Sequence, residues 1–180
     1  MKAVIPAAAK KDSMYPFSES RPTGLMPVMG KPVVKHLVEA LREIDVEDIY
    51  LVTNYREDDF EREFSEQTDV NLVHQDKLSG TAGAVGCCDF IEEDFIVVNG
   101  DVLVSSNDLS SLVEKFRGTD SEAAMLATSQ NRPEKFGVLS ITDDRVESIE
   151  EKPEDAENTL VNTGIYMFSP SIFDRIEELD

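Results

Sequence analysis

The chain has 180 residues, 41% of them apolar, with 37 acidic against 17 basic side chains and a formal net charge of −20. That apolar share is too high for a disordered acidic chain, and the length suits one globular domain with a substantial core. The charge repels nucleic acid and anionic membranes alike, and no apolar run approaches the roughly 18 residues that a spanning helix needs, so neither partner is expected.

Taken in chain order, the first apolar run covers residues 3–7 and reads as a buried strand. An apolar stripe of Val33, Val34, Leu37, Val38, Leu41 and Ile44, opened by Gly30-Lys31-Pro32, predicts a helix. Strands follow over 49–54, 70–74 and 95–99, rich in Val, Ile and Tyr. Leu109, Leu112, Val113 and Phe116 predict a second helix, capped by Asn107 or Asp108 and stopped by Gly118. Strand-like runs then succeed one another at 123–128, 138–141 and 160–168 with little helix between them. The final segment opens as a helix with Ser169 as cap and Pro170 in its first turn. It carries no stop signal, so a longer natural chain is expected.

This alternation predicts an α/β fold: a doubly wound, mixed but mainly parallel sheet with helices on both faces. A single domain over 1–180 is expected, its pattern changing after Gly118 and its last part, 119–180, incomplete at its C-terminus. Acid is spread along the chain, including eight carboxylates between Asp143 and Glu157. One reading is a solvated surface suited to a salt-rich, halophilic cytoplasm, and the other is an ordinary acidic protein. No secretory signal opens the chain, and the adjacent Cys87 and Cys88 cannot bridge readily, so a cytoplasmic location is expected. The cysteines read as core packing in a helix and His36 as a helix-surface histidine, while His74 has no partner at metal-ligand spacing.

Ligands of open α/β sheets bind beyond the carboxyl ends of the strands. The stretches to question are therefore 7–15, Thr53-Asn54, His74-Gln75-Asp76, Asn99-Gly100-Asp101 and Glu150-Glu151-Lys152-Pro153. Asp101, delivered by a rigid strand, is a hard oxygen ligand suited to Mg²⁺; the other reading is a strand-end Asp that caps a turn. The amide of Gln75 donates and accepts at once. Glu151 beside Lys152 pairs a carboxylate with a point cation, which alone also describes a surface ion pair.

The motifs MKAVIPAAAKK, ESRPTGLMPVMGKPVVKHLVEAL, HQDKLSGTAGAV, VVNGDVLV, KFGVLSI, VESIEEKP and LVNTGIYMF occur in order over nearly the whole chain. In this series the chain resembles the sugar-1-phosphate nucleotidylyltransferases, in particular those that make UDP-glucose or dTDP-glucose. The resemblance implies a Rossmann-like fold and a Mg²⁺-assisted reaction of a pyrimidine NTP (UTP or dTTP) with a sugar 1-phosphate, glucose 1-phosphate foremost, to give NDP-sugar and pyrophosphate. It implies catalytic roles for Lys152 and Asp101, the latter also as metal ligand. Ala8, Lys10, Lys11, Gln75, Gly80 and Thr81 would bind the nucleotide, and Gly137, Glu151, Asn162 and Thr163 the sugar, which would make 1–118 the nucleotide-binding half and 119–180 the sugar-binding half.

The first loop departs from the family pattern Gly-x-Gly-Thr-Arg-x-x-Pro. Here it reads Ala9-Lys10-Lys11-Asp12-Ser13-Met14-Tyr15-Pro16, without either glycine and with Ser13 in the arginine's place. Thr23 stands where the resemblance implies a lysine. Losing a charged donor at the reacting centre typically slows a reaction on the order of 10²-fold or more, although Lys10 and Lys11 could bring two cations by another backbone path. The alternative expectation is an impaired relative that binds sugar nucleotides or regulates. A homo-oligomer, or a hetero-oligomer with an active paralogue, is compatible with either.

Overall fold

A computed structural model describes residues 1–8, 14–156 and 158–179 of the chain. The elements in order are β1 (Lys2–Pro6), α1 (Phe17–Ser20), β2 (Pro27–Val28), β3 (Lys31–Pro32), α2 (Val33–Arg42), β4 (Asp48–Thr53), α3 (Glu57–Phe64) and β5 (Val70–His74). There follow α4 (Gly80–Gly86), β6 (Phe95–Val98), α5 (Ser106–Arg117), β7 (Ala123–Ser129), β8 (Gly137–Thr142), β9 (Arg145–Glu151), β10 (Leu160–Phe168) and α6 (Ile172–Glu177). They fall into two compact units, Met1–Ala124 with Tyr166–Asp180, and Met125–Ile165.

In the first unit the strands run β5-β4-β1-β6 with β10 next beyond β6. The pairs β5–β4, β4–β1 and β1–β6 are all parallel. All four residues of β6 are buried, as a strand covered on both faces requires. Alternation along the strands splits their side chains between two layers. Val4, Val52, Phe95 and Val97 join Ala84, Val85, Cys88 and Ile91, with Phe173 of α6 stacked on Phe95 at a centroid distance of 5.3 Å. Ala3, Ile5, Leu51 and Ile96 alternate with that set and are equally buried. The predicted stripe of α2 is buried from Val33 to Leu41, and α2 packs against α5.

The second unit is antiparallel where β8 meets β10 and β9. β8 and β9 are joined by Asp143-Asp144, both at positive φ (50° and 61°), the conformation a two-residue hairpin turn needs. The same device, Met29-Gly30 at φ 51° and 82°, closes the small β2–β3 hairpin in the first unit. The sheet as a class is mixed and mainly parallel, as the alternation of segments predicts.

Three local expectations need correction. The cap of α5 is Ser105, whose Oγ accepts from the Asp108 amide at 3.2 Å and donates to Asp108 Oδ2 at 2.6 Å. Asn107 and Asp108 themselves lie within the helix. α6 starts at Ile172 with Ser171 at its cap; Ser169 and Pro170 form a preceding turn, their carbonyls accepting from the Ile172 and Phe173 amides. Helix α4 stops at Gly86, so Cys87 is its C-cap residue and Cys88 lies just beyond, fully buried. No helix among the described residues is long and apolar enough to cross a membrane.

Candidate active site

The carboxyl ends of β1, β4, β5 and β6 bring the first unit's candidate residues onto one rim. At the exit of β1 the Ala7 amide donates to the Val52 carbonyl at 2.8 Å, and the Ala8 carbonyl accepts from the Tyr55 amide at 3.3 Å. Ala8 is buried by this bracing. Lys10 and Lys11, with Ala9, Asp12 and Ser13, lie outside the described residues.

At the end of β6 the Gly100 amide donates to the Pro6 carbonyl at 2.9 Å. A Cβ on Gly100 would stand 2.9 Å from that carbonyl oxygen and 3.0 Å from the Ala7 Cβ. Only glycine lets the two strand ends come so close, and the following residue, half-buried Asp101, is thereby set beside the exit of β1. Gly24 closes the other side: a Cβ there would meet Val34 Cγ2 at 2.6 Å and the Gly100 carbonyl at 3.1 Å. The Arg21–Leu25 segment is thus packed on the Asp101 turn. Its Thr23 Oγ1 is buried with no hydrogen-bond partner, as is Asn99 Oδ1.

At the end of β5, Gln75 is 3% exposed and its Nε2 has no partner. Its amide donates to the Thr53 carbonyl at 2.9 Å, and its carbonyl accepts from Asn54 Nδ2 at 2.8 Å. Gly83, one turn into α4, makes room: a Cβ there would lie 3.3 Å from Gln75 Nε2 and 1.8 Å from Ser79 Oγ. Gly80 turns the chain into α4 at φ 77°, and both Gly80 and Thr81 are exposed. Alongside, Glu57 Oε1 accepts from Thr53 Oγ1 at 2.9 Å, and Glu57 Oε2 lies 2.7 Å from His74 Nδ1. His36 is tied to the hairpin by Nε2 at 2.9 Å from the Val28 carbonyl, so it is a structural contact.

Among the described residues no group of three or more His, Cys, Asp or Glu side chains could hold a metal ion. Asp101 and Asn99 nonetheless offer hard oxygen, which fits Mg²⁺ of the kind held by one or two carboxylates and completed by substrate phosphates. The thiol of Cys88 is pushed up to about 12 by burial and is no nucleophile at neutral pH.

In the second unit, Gly137, Glu151 and Asn162 come together across β8, β9 and β10. A Cβ on Gly137 would lie 3.0 Å from Ile149 Cγ2, 3.1 Å from Glu151 Oε2 and 3.7 Å from the Asn162 Cβ. Lys152 adopts φ 49°, its amide donates to the Phe136 carbonyl at 2.9 Å, and its Nζ lies 3.4 Å from Glu151 Oε1 with both side chains well exposed. The Thr163 hydroxyl donates to the Leu126 carbonyl at 2.7 Å, which commits its proton to joining β10 with β7. Asn162 Oδ1 accepts from the Gly164 amide at 2.8 Å.

Sequence reasoning gave no role to Gly24, Gly83 or Gly100, and flagged Asn54 only as a strand-end residue. A signal existed for Gly83, because glycine inside a helix is unfavourable unless close approach requires it. Asn54 had none, since its bond joins strands 21 residues apart.

A family model described as "Nucleotidyl transferase" matches residues 2–180. The chain is 31% identical over 180 residues to "Bifunctional protein GlmU" of Methanocaldococcus jannaschii, covering 99% of this chain and 42% of that protein. It is 29% identical over 188 residues to "Low-salt glycan biosynthesis nucleotidyltransferase Agl11" of Haloferax volcanii, covering 100% of this chain and 52% of that one. The chain therefore spans about half the length of these curated relatives or less. A solved structure of a provisionally assigned glucose-1-phosphate thymidylyltransferase from Bacillus anthracis, in complex with a sucrose, superposes with a TM-score of 0.92 at 30% identity, covering 100% of this chain and 76% of that one.

Proposed function

The chain belongs to the sugar-1-phosphate nucleotidylyltransferase family, and on that footing we propose that it joins a pyrimidine NTP, UTP or dTTP, to glucose 1-phosphate, giving NDP-glucose and pyrophosphate. The observation that carries this reading is Gln75: a buried amide whose Nε2 lacks a partner, at the carboxyl end of β5, on the same rim as the exit of β1 but with β4 between them. Burying an unmet donor costs on the order of 1–3 kcal/mol, so a bound acceptor is the natural complement, and a uracil or thymine edge offers one.

In the reaction a phosphate oxygen of the sugar 1-phosphate attacks the α-phosphorus in line. The new P–O bond forms as the bond to the β-phosphate oxygen breaks, and pyrophosphate leaves. Such transfers ask the protein for positioning and charge neutralisation. Mg²⁺, when bound, neutralises phosphate charge, and Asp101 would hold it with Asn99 nearby. Ala8, Lys10, Lys11, Gly80 and Thr81 complete the nucleotide contacts, with the two lysines offsetting triphosphate charge. Lys152 meets the sugar's phosphate, Glu151 accepts from sugar hydroxyls, and Gly137, Asn162 and Thr163 line the hexose.

Thr23 favours a second reading, a relative that binds sugar nucleotides while catalysing weakly. Its buried hydroxyl is neutral where the resemblance implies a lysine. Isothermal calorimetry on the full chain separates the two. The transferase binds NTP tightly and in a Mg²⁺-dependent way; the impaired relative binds NDP-sugar well and NTP poorly. The dense acidic surface and the likeness to a haloarchaeal protein support a halophilic, cytoplasmic setting.

A further inference from the structure

Strands β4 and β5 pair in parallel as far as Thr53 opposite His74. The next rung is made, with the Gln75 amide donating to the Thr53 carbonyl. Continued in register, the ladder would next send the Tyr55 amide to the Gln75 carbonyl. That amide goes instead to the Ala8 carbonyl, on the β1 side. The Gln75 carbonyl is met by a side chain, Asn54 Nδ2 at 2.8 Å. A carbonyl only accepts, so the partner must be a donor of that reach.

We propose that Asn54 is a positioning residue for nucleotide recognition. By supplying the missing ladder bond, it fixes the backbone of Gln75 while Tyr55 is released to brace the exit of β1. Two adjacent residues thus set the base-facing amide and the root of the phosphate-facing loop independently. The inference rests on the nucleotide reading above, and it assigns Asn54 the base side alone.

Calorimetry of the full chain with Mg²⁺, using UTP, dTTP, ATP and inorganic tripolyphosphate as probes, tests it. Asn54→Ala is expected to weaken UTP or dTTP about tenfold, the effect of one lost hydrogen bond with its acceptor left unmet. Tripolyphosphate binding stays unchanged, so the preference over ATP narrows by the same factor. Should Asn54→Ala fail to fold, Asn54→Ser, too short to span to the carbonyl, carries the same comparison. Unchanged affinities, or an equal loss for every probe including tripolyphosphate, overturn the role of Asn54. A wild-type protein that binds none of the probes overturns the nucleotide reading itself, and this inference with it.

Discussion

Gly100 and Gln75 are the residues on which the candidate site turns, one because it has no side chain and the other because its side chain is unmet. A Cβ on Gly100 would meet the Pro6 carbonyl oxygen and the Ala7 Cβ, neither of which can rotate aside. Gly100→Ala is expected to destabilise the protein by about 1–3 kcal/mol, as overpacking does, and to displace Asp101. A urea titration measures the first, and an unchanged midpoint would show that the strand ends part easily. The strand-end position of Asp101 was legible in the sequence because an apolar run closing on Asn-Gly-Asp tells where a rigid strand delivers a carboxylate. The hydrogen bond that fixes Gln75 was not, because Asn54 is far from it along the chain and its partner is a backbone carbonyl with no residue signature.

At the scale of elements, the apolar runs that became β1, β4, β5 and β6 were readable because burial on both faces leaves a continuous hydrophobic signal. β9 carried no such signal. All seven of its residues are exposed, so Arg145–Glu151 presents charge where a strand is sought. The cap of α5 was misread among four consecutive polar residues; Ser105 has the extended backbone and the hydroxyl that accepts from the amide three residues on, as a helix N-cap requires. One tie between elements is set by charge. Arg42 in α2 donates from Nε and Nη2 to both Asp69 oxygens, each at 2.7 Å, just ahead of β5. Its hydrogen bonds hold the Asp69 carboxyl below the usual carboxylate range. A carboxyl lowered in the folded state adds stability above its unfolded pKa, about 3.9, and that stability is lost as pH falls through the folded value. Solvent exposure limits the pair, so Asp69→Asn is expected to cost up to about 1 kcal/mol at neutral pH. The gap from wild type should narrow steadily in denaturant titrations as pH falls below about 4; a gap that stays constant down to the acid limit of folding would show that the ion pair is not its source.

Across the whole molecule, a net charge of −20 means that folding brings like charges together. The Debye length shrinks from about 10 Å at 0.1 M salt to about 3 Å at 1 M, which screens most of that repulsion. The thermal midpoint is therefore expected to rise between those concentrations of KCl, and a flat or falling midpoint would deny that the acidic surface strains the fold. Fold class was legible because alternating strands and helices, followed by successive strands, leave few topologies open. Catalytic strength was not, because Ala9, Lys11, Ser13 and Thr23 depart in charge and backbone freedom from the family pattern that the resemblance implies for binding phosphate. The most direct measurement is pyrophosphate release by the full-length protein with glucose 1-phosphate, Mg²⁺ and either UTP or dTTP, in high and low salt, beside Asp101→Asn. Release with a pyrimidine nucleotide is expected, falling on the order of 10²-fold or more in the variant. No release with any nucleotide, or release that Asp101→Asn leaves intact, would contradict it.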